Sequence, residues 1–207
     1  MLRVFNQVPP ASAAIAAVDG VECIDVTPDL ADDATADVLY GGYPDWPRTL
    51  ELAARGVRWV QLSGTGIDGA PPELFETVPV VTCARGASAV PIAEYVLAMM
   101  LAFAKRLPDA WISEPPRSWN FQRLDTLAGR TVGIVGFGGI GRAVATRALA
   151  FDMEVVVLRR TTAPIDLPGV RRAASLVEML PEVDHLVLAA PATTESALQS
   201  QLRPAHV

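Results

Sequence analysis

The sequence predicts an α/β protein of two domains, each a parallel sheet flanked by helices, and three observations predict it. Residues 1–90 alternate short apolar runs with polar or helical connections, the pattern of strands that need crossovers to pair in parallel. Thr131–Ala145, T-V-G-I-V-G-F-G-G-I-G-R-A-V-A, runs from a β-branched stretch through Gly136-x-Gly138-x-x-Gly141 into an alanine-rich helical segment, Arg142–Ala150. Two further apolar runs, Glu154–Leu158 and the stretch from Asp184 that stops at Pro191, supply more strands of the same kind. The expected domains are residues 1–90 and 91–207.

In the first domain the candidate strands are Leu2–Phe5, Val21–Val26, Asp37–Gly41, Arg58–Leu62 and Val78–Thr82, with helices over Ser12–Val18 and Pro47–Arg55. Strands spaced by helices in this way predict a flavodoxin-like sheet. Pro9-Pro10, Pro44, Pro71-Pro72 and Pro79 punctuate its turns. Ser63–Gly69, S-G-T-G-I-D-G, follows a strand at the end where parallel sheets bind ligands. It reads either as a turn offering backbone N–H groups to an anion or as a flexible loop in which Asp68 caps the next turn.

Tyr95–Ala104, Y-V-L-A-M-M-L-A-F-A, is bounded by Glu94 and by Lys105-Arg106. A bilayer span needs about 18 residues or more, so this run predicts a buried helix. Apolar on every face, it is expected to be covered on every face, between domains or at a subunit interface. Ser88 or Ala89 ahead of Pro91 fits its start, and Leu107-Pro108 its end. A connector with Trp111, Pro115-Pro116 and Trp119 leads to the glycine-rich strand.

Strand, glycine turn, helix is the context of a dinucleotide-binding fingerprint. Gly136 makes the turn, Gly138 lets the backbone approach a pyrophosphate, and Gly141 lets helix and strand pack closely. The diphosphate would rest on the free N–H groups and positive end of that helix. A structural turn without ligand is the plain alternative. After the second strand an NAD site usually places an acidic residue, but here the chain reads Leu158-Arg159-Arg160-Thr161-Thr162. Guanidinium groups bind a 2′-phosphate through charge-assisted bonds of roughly 1.5–3 kcal/mol each. Two of them favour NADPH over NADH roughly ten- to a hundred-fold. NADP is therefore the expected cofactor and NAD the second choice, unless the arginines are merely a solvated strand end. A helix over Ser175–Leu180 precedes the last strand, expected fourth in a Rossmann sheet and beside the first, with Pro191–Thr194 facing the cofactor.

The 207 residues, 51% hydrophobic, can bury one large core or two small ones. A net charge of −6 argues against general affinity for nucleic acid or anionic membrane, since either needs a basic surface. Cys23 and Cys83 belong to no C-x-x-C and read as ordinary buried thiols of a reducing cytoplasm. The opening residues lack the pattern of a targeting signal.

Four segments in order, L-S-G-T-G-I-D from Leu62, A-R-G-A-S-A-V-P-I-A-E-Y-V-L-A-M-M-L from Ala84, L-A-G-R-T-V-G-I-V-G-F-G-G-I-G from Leu127 and D-H-L-V-L-A-A-P-A-T-T-E-S from Asp184, resemble the D-isomer-specific 2-hydroxyacid dehydrogenases. The likeness runs from about residue 58 onward. It implies a substrate domain followed by an incomplete Rossmann cofactor domain, with the apolar helix joining them and contributing to a homodimer. By the same resemblance, the amides of Gly64, Thr65 and Gly66 hold a substrate carboxylate, and Gly139 and Ile140 contact the diphosphate. Arg159 and Arg160, with Thr161 beside them, meet the 2′-phosphate, and Pro191 and Thr193 flank the nicotinamide. The implied substrate is a small 2-oxo acid such as glyoxylate or hydroxypyruvate.

The family's catalytic arginine, and the histidine with its acidic partner, lie on segments after the fourth strand, whereas this sequence finishes Leu202-Arg203-Pro204-Ala205-His206-Val207. The resemblance therefore implies a truncated or frameshifted, inactive member with no catalytic residue of its own and an exposed strand edge prone to aggregation or swapping. His185 falls at the amino end of its strand, away from the ligand end, and His206 and Arg203 come too early for the family's catalytic positions. Two rival readings are a non-catalytic dinucleotide-binding module and a Rossmann enzyme of another nucleotide, such as S-adenosylmethionine.

Overall fold

β1 (Leu2–Asn6), α1 (Ser12–Ala16), β2 (Val21–Asp25), β3 (Val38–Gly41), α2 (Trp46–Ala53), β4 (Trp59–Leu62), α3 (Pro72–Thr77) and β5 (Val80–Cys83) build the first of two units, Met1–Ala87, in the computed structural model. The structure describes residues 1–67, 69–111, 114 and 124–191. All five strands are parallel in the order β2-β1-β3-β4-β5, the flavodoxin-like arrangement. Phe5, Leu39, Val60 and Leu62 of the strands meet Leu52 and Ala53 of α2 and Leu74 of α3 in one core. Asp45 starts α2 by accepting a bond from the Arg48 N–H at 3.1 Å, with Pro47 in the first turn where its missing donor does no harm. α3 is a helix where the sequence shows only proline punctuation: Pro71 and Pro72 are its N-cap and first residue.

The second unit, Ser88–Val207, divides from the first three residues earlier than the expected 90/91 boundary. It holds α4 (Ala89–Ala104), α5 (Leu107–Ala110), β6 (Thr131–Val135), α6 (Gly139–Ala150), β7 (Glu154–Leu158), β8 (Val170–Arg172), α7 (Leu176–Met179) and β9 (His185–Leu188). Its strands are parallel in the order β8-β7-β6-β9, so β9 does lie beside β6 as the fourth strand of a Rossmann sheet. β8 is a three-residue strand inside a polar stretch that the sequence pattern does not single out.

Its own unit covers one face of α4. Ala93, Leu97, Met100 and Ala104 are buried in a core shared with Val144, Ala145 and Ala148 of α6, and Arg147 reaches Glu94 at 3.4 Å. The opposite stripe is uncovered: Tyr95 is 65% and Phe103 81% exposed. Those side chains, with Met99, Leu186 and Leu188, line an open apolar cleft of about 340 Å3 along β9, which has no further strand on its outer edge among the described residues. Cys23 and Cys83, expected to be buried, are half-exposed free thiols. No helix of the described residues is long and apolar enough to cross a membrane.

Candidate functional site

A parallel sheet delivers all its strand ends to one edge, so in the second unit the glycine turn after β6, the arginines after β7, the end of β8 and Pro191 after β9 share the carboxyl edge. The strand order reverses between β6 and β9, and the glycine turn lies at that reversal. Gly136, at φ 98, donates its N–H to the Leu158 carbonyl at 2.8 Å, and a Cβ there would lie 2.6 Å from the Ala190 nitrogen. A Cβ on Gly141 would stand 2.1 Å from the Gly136 oxygen. Both positions are therefore glycine for reasons internal to the fold.

Gly138 differs. Its φ of −89 is open to any residue, and a Cβ would meet nothing within 4 Å. Neither backbone nor packing requires glycine there, so the bare Cα leaves a space over the start of α6 that fits a ligand's close approach. Gly138 is the N-cap, with no side-chain cap, and its carbonyl accepts the Arg142 N–H at 2.9 Å. Gly138 and Gly139 are exposed and Ile140 half-buried, so the N–H groups of the first turn face a site suited to a diphosphate.

Arg159 is half-buried, and Arg160 and Thr161 are exposed, just past β7. Arg142, in the first turn of α6, lies over the Phe137 ring at 5.3 Å and pairs with Asp166. The Arg142 guanidinium, with Asp166's own N–H and the nearby Arg159 charge, holds the Asp166 carboxyl below the usual carboxylate range. Sequence reasoning missed Arg172. Its guanidinium donates to the carbonyls of Arg159 at 3.4 Å, Thr162 at 3.2 Å and Thr161. Pro191 is exposed, and Thr193 lies outside the described residues. His185 is at the amino edge, lining a cavity of about 240 Å3 with Asp125, Arg130 and Asp184. His206 and Arg203 fall outside the described residues.

In the first unit Gly64 and Gly66 are exposed and Thr65 half-buried at the carboxyl end of β4. The Gly64 carbonyl accepts the Ala84 N–H at 2.9 Å, and the Thr65 carbonyl lies 3.6 Å from the Cys83 thiol that donates to it. With both carbonyls engaged on the β5 side, the turn has N–H donors and the Thr65 hydroxyl left to offer, the complement a carboxylate needs. Asp68, read as a possible cap, lies outside the described residues. On the same carboxyl edge, at the β1/β3 reversal, sit two residues the sequence reading passed over. Asn6, 1% exposed, donates to Ser12 Oγ at 2.9 Å and Asp25 Oδ1 at 2.8 Å, and Gln7 Oε1 accepts from the Gly42 N–H and the Thr49 hydroxyl, each at 3.0 Å. A buried amide ending an apolar strand was the available signal. Among the described residues no cluster of side chains could hold a metal.

Residues 97–199 match the family model for the D-isomer specific 2-hydroxyacid dehydrogenase NAD binding domain. The chain belongs to the D-isomer-specific 2-hydroxyacid dehydrogenase family. Hydroxypyruvate reductase of Thermotoga maritima is 31% identical over 166 residues, covering 79% of this chain and 50% of that protein. Glyoxylate reductase of Thermococcus kodakarensis is 38% identical over 117 residues, covering 50% of this chain and 34% of that protein. The chain thus spans half the length, or less, of these dehydrogenase-family relatives. The crystal structure of TT0316 protein from Thermus thermophilus superposes with a TM-score of 0.66 at 26% identity, covering 94% of this chain and 67% of that one.

Proposed function

We propose that the chain binds NADPH at the carboxyl edge of its second sheet and the carboxylate of a small 2-oxo acid at Gly64–Gly66, as the binding part of a glyoxylate- or hydroxypyruvate-type reductase. The observation that carries the proposal is Gly138, a glycine that neither backbone nor packing requires, on the same edge as Arg159 and Arg160. The N–H groups of Gly139 and Ile140 hold the diphosphate, with Gly136 shaping the turn and Gly141 letting the helix pack close to the strand. Arg159 and Arg160, beside Thr161, select the 2′-phosphate over a bare ribose, making NADP the cofactor and NAD the weaker one. Pro191 and Thr193 border the nicotinamide. When bound, the reduced nicotinamide supplies a hydride to the carbonyl carbon of the acid. The amides of Gly64, Thr65 and Gly66 orient that acid by its carboxylate. The first unit is accordingly the substrate domain and the second the cofactor domain.

No described residue stands at the cofactor edge ready to deliver the proton, because His185 is at the opposite edge. We infer that the described residues by themselves bind without turning over, and the exposed stripe of α4 supports pairing with a second copy of this cytoplasmic protein. Titration of NADPH and NADH, followed by cofactor fluorescence and calorimetry, tests the reading. Tighter binding of NADPH by roughly ten- to a hundred-fold, lost on replacing Arg159 and Arg160 with alanine, is expected. Equal affinity overturns the NADP assignment, and failure to bind either overturns the cofactor site. NADPH consumption on adding glyoxylate overturns the claim of inactivity.

A further inference from the structure

We infer that Arg172 is a positioning residue for recognition of the cofactor's 2′-phosphate, an inference that rests on the NADP reading above. Arg172 ends β8, opposite Val157 in the register with β7, and the Ala173 N–H bonds the Val157 carbonyl at 2.9 Å. The segment leaving β7 passes directly over it. There the single guanidinium gathers the carbonyls of Arg159, Thr161 and Thr162. Carbonyls in so short a stretch converge on one point only if the chain curls round that point.

The curl has an electrostatic consequence. In a trans peptide the N–H points opposite to the C=O. Turning those three carbonyls toward Arg172 therefore turns the N–H groups of Arg160, Thr162 and Ala163 away from it. The negative ends of the peptide dipoles are drawn inward and the positive ends face outward, on the loop that carries the Arg159 and Arg160 side chains. A phosphate approaching this loop meets donors and guanidinium groups in place of carbonyl oxygens. A ribose hydroxyl, able to use donors and acceptors alike, gains much less. Only arginine, with five donors in a rigid planar fork, reaches several carbonyls at once; a lysine ammonium is a single point. Holding the segment before the ligand arrives also lowers the ordering cost of binding.

The test measures dissociation constants of NADPH and NADH for the full chain and for Arg172→Gln and Arg172→Lys, together with hydrogen exchange of the 160–163 amides. Arg172→Gln is expected to reduce NADPH affinity about five- to tenfold while leaving NADH within about twofold, which also certifies the fold. Arg172→Lys, with charge kept and fork lost, is expected to recover less than half of that loss, and bound NADPH is expected to protect these amides from exchange less in both variants. If the unsubstituted chain shows no preference for NADPH, the cofactor reading fails and this inference with it. If it prefers NADPH and Arg172→Gln prefers it equally, the inference alone fails. Full recovery by lysine, or unchanged protection of these amides by NADPH, likewise overturns the clamp.

Discussion

Replacing Gly138 and Gly141 in turn by alanine separates what the glycine turn needs for folding from what it needs for a ligand. At Gly141 the new methyl would stand 2.1 Å from the Gly136 carbonyl oxygen and 3.1 Å from its carbon. Both are backbone atoms of a turn already tied to Leu158, so no flexible side chain can give way. Moving α6 off β6 to relieve the clash costs roughly 2–4 kcal/mol, by analogy with overpacked cores. For a chain of this size that lowers Tm by roughly 5–15 °C. At Gly138 the methyl meets no protein atom within 4 Å and the backbone is already in an ordinary region. Only the small N-cap advantage of glycine over alanine is lost, at most about 1 kcal/mol. The same methyl occupies the space over the first turn of α6, so NADPH affinity is expected to fall about tenfold or more. Thermal melts paired with NADPH fluorescence titrations read both quantities. A Gly138→Ala chain that binds NADPH as well as the original, or a Gly141→Ala chain that melts at the same temperature, refutes the reasoning.

Gln7→Leu is expected to leave the Gly42 N–H without its acceptor beside a fully buried Thr49, and to destabilise the first unit by about 1–3 kcal/mol in urea unfolding. Asp25 is held below the usual carboxylate range by bonds from Ser12 and then Asn6, so its folded pKa lies under its unfolded one. Its contribution to stability is therefore present above about pH 4 and lost as pH falls through the lowered folded value. Denaturant midpoints measured from pH 6 to pH 2 should show Asp25→Asn losing part of that acid dependence. An unchanged profile removes Asp25 from the account.

What was legible in the sequence was whatever sterics enforce within a few residues. The fingerprint is of that kind: Gly136 and Gly141 meet within one turn, and the strands on either side announce themselves by β-branched runs. Gln7, by contrast, acts on Gly42 and Thr49, residues brought to it by the β1/β3 pairing, and nothing near Gln7 in the chain encodes that meeting. Arg172 is the same case on a three-residue strand too short to leave a periodic trace, since its role exists only once β8 lies beside β7. α4 shows the limit from the other side. Apolar residues cover every face, so hydropathy states how much surface wants burial but not which stripe is buried against the sheet unit. Shape chooses. Ala93 and Ala104, with Leu97 and Met100 between them, present a flat stripe that lies close against Ala145 and Ala148 of α6, and the bulky Tyr95, Met99 and Phe103 are thereby turned out. Side-chain volume, read together with hydropathy, therefore distinguishes the face a helix gives to its own unit from the face it leaves for something else.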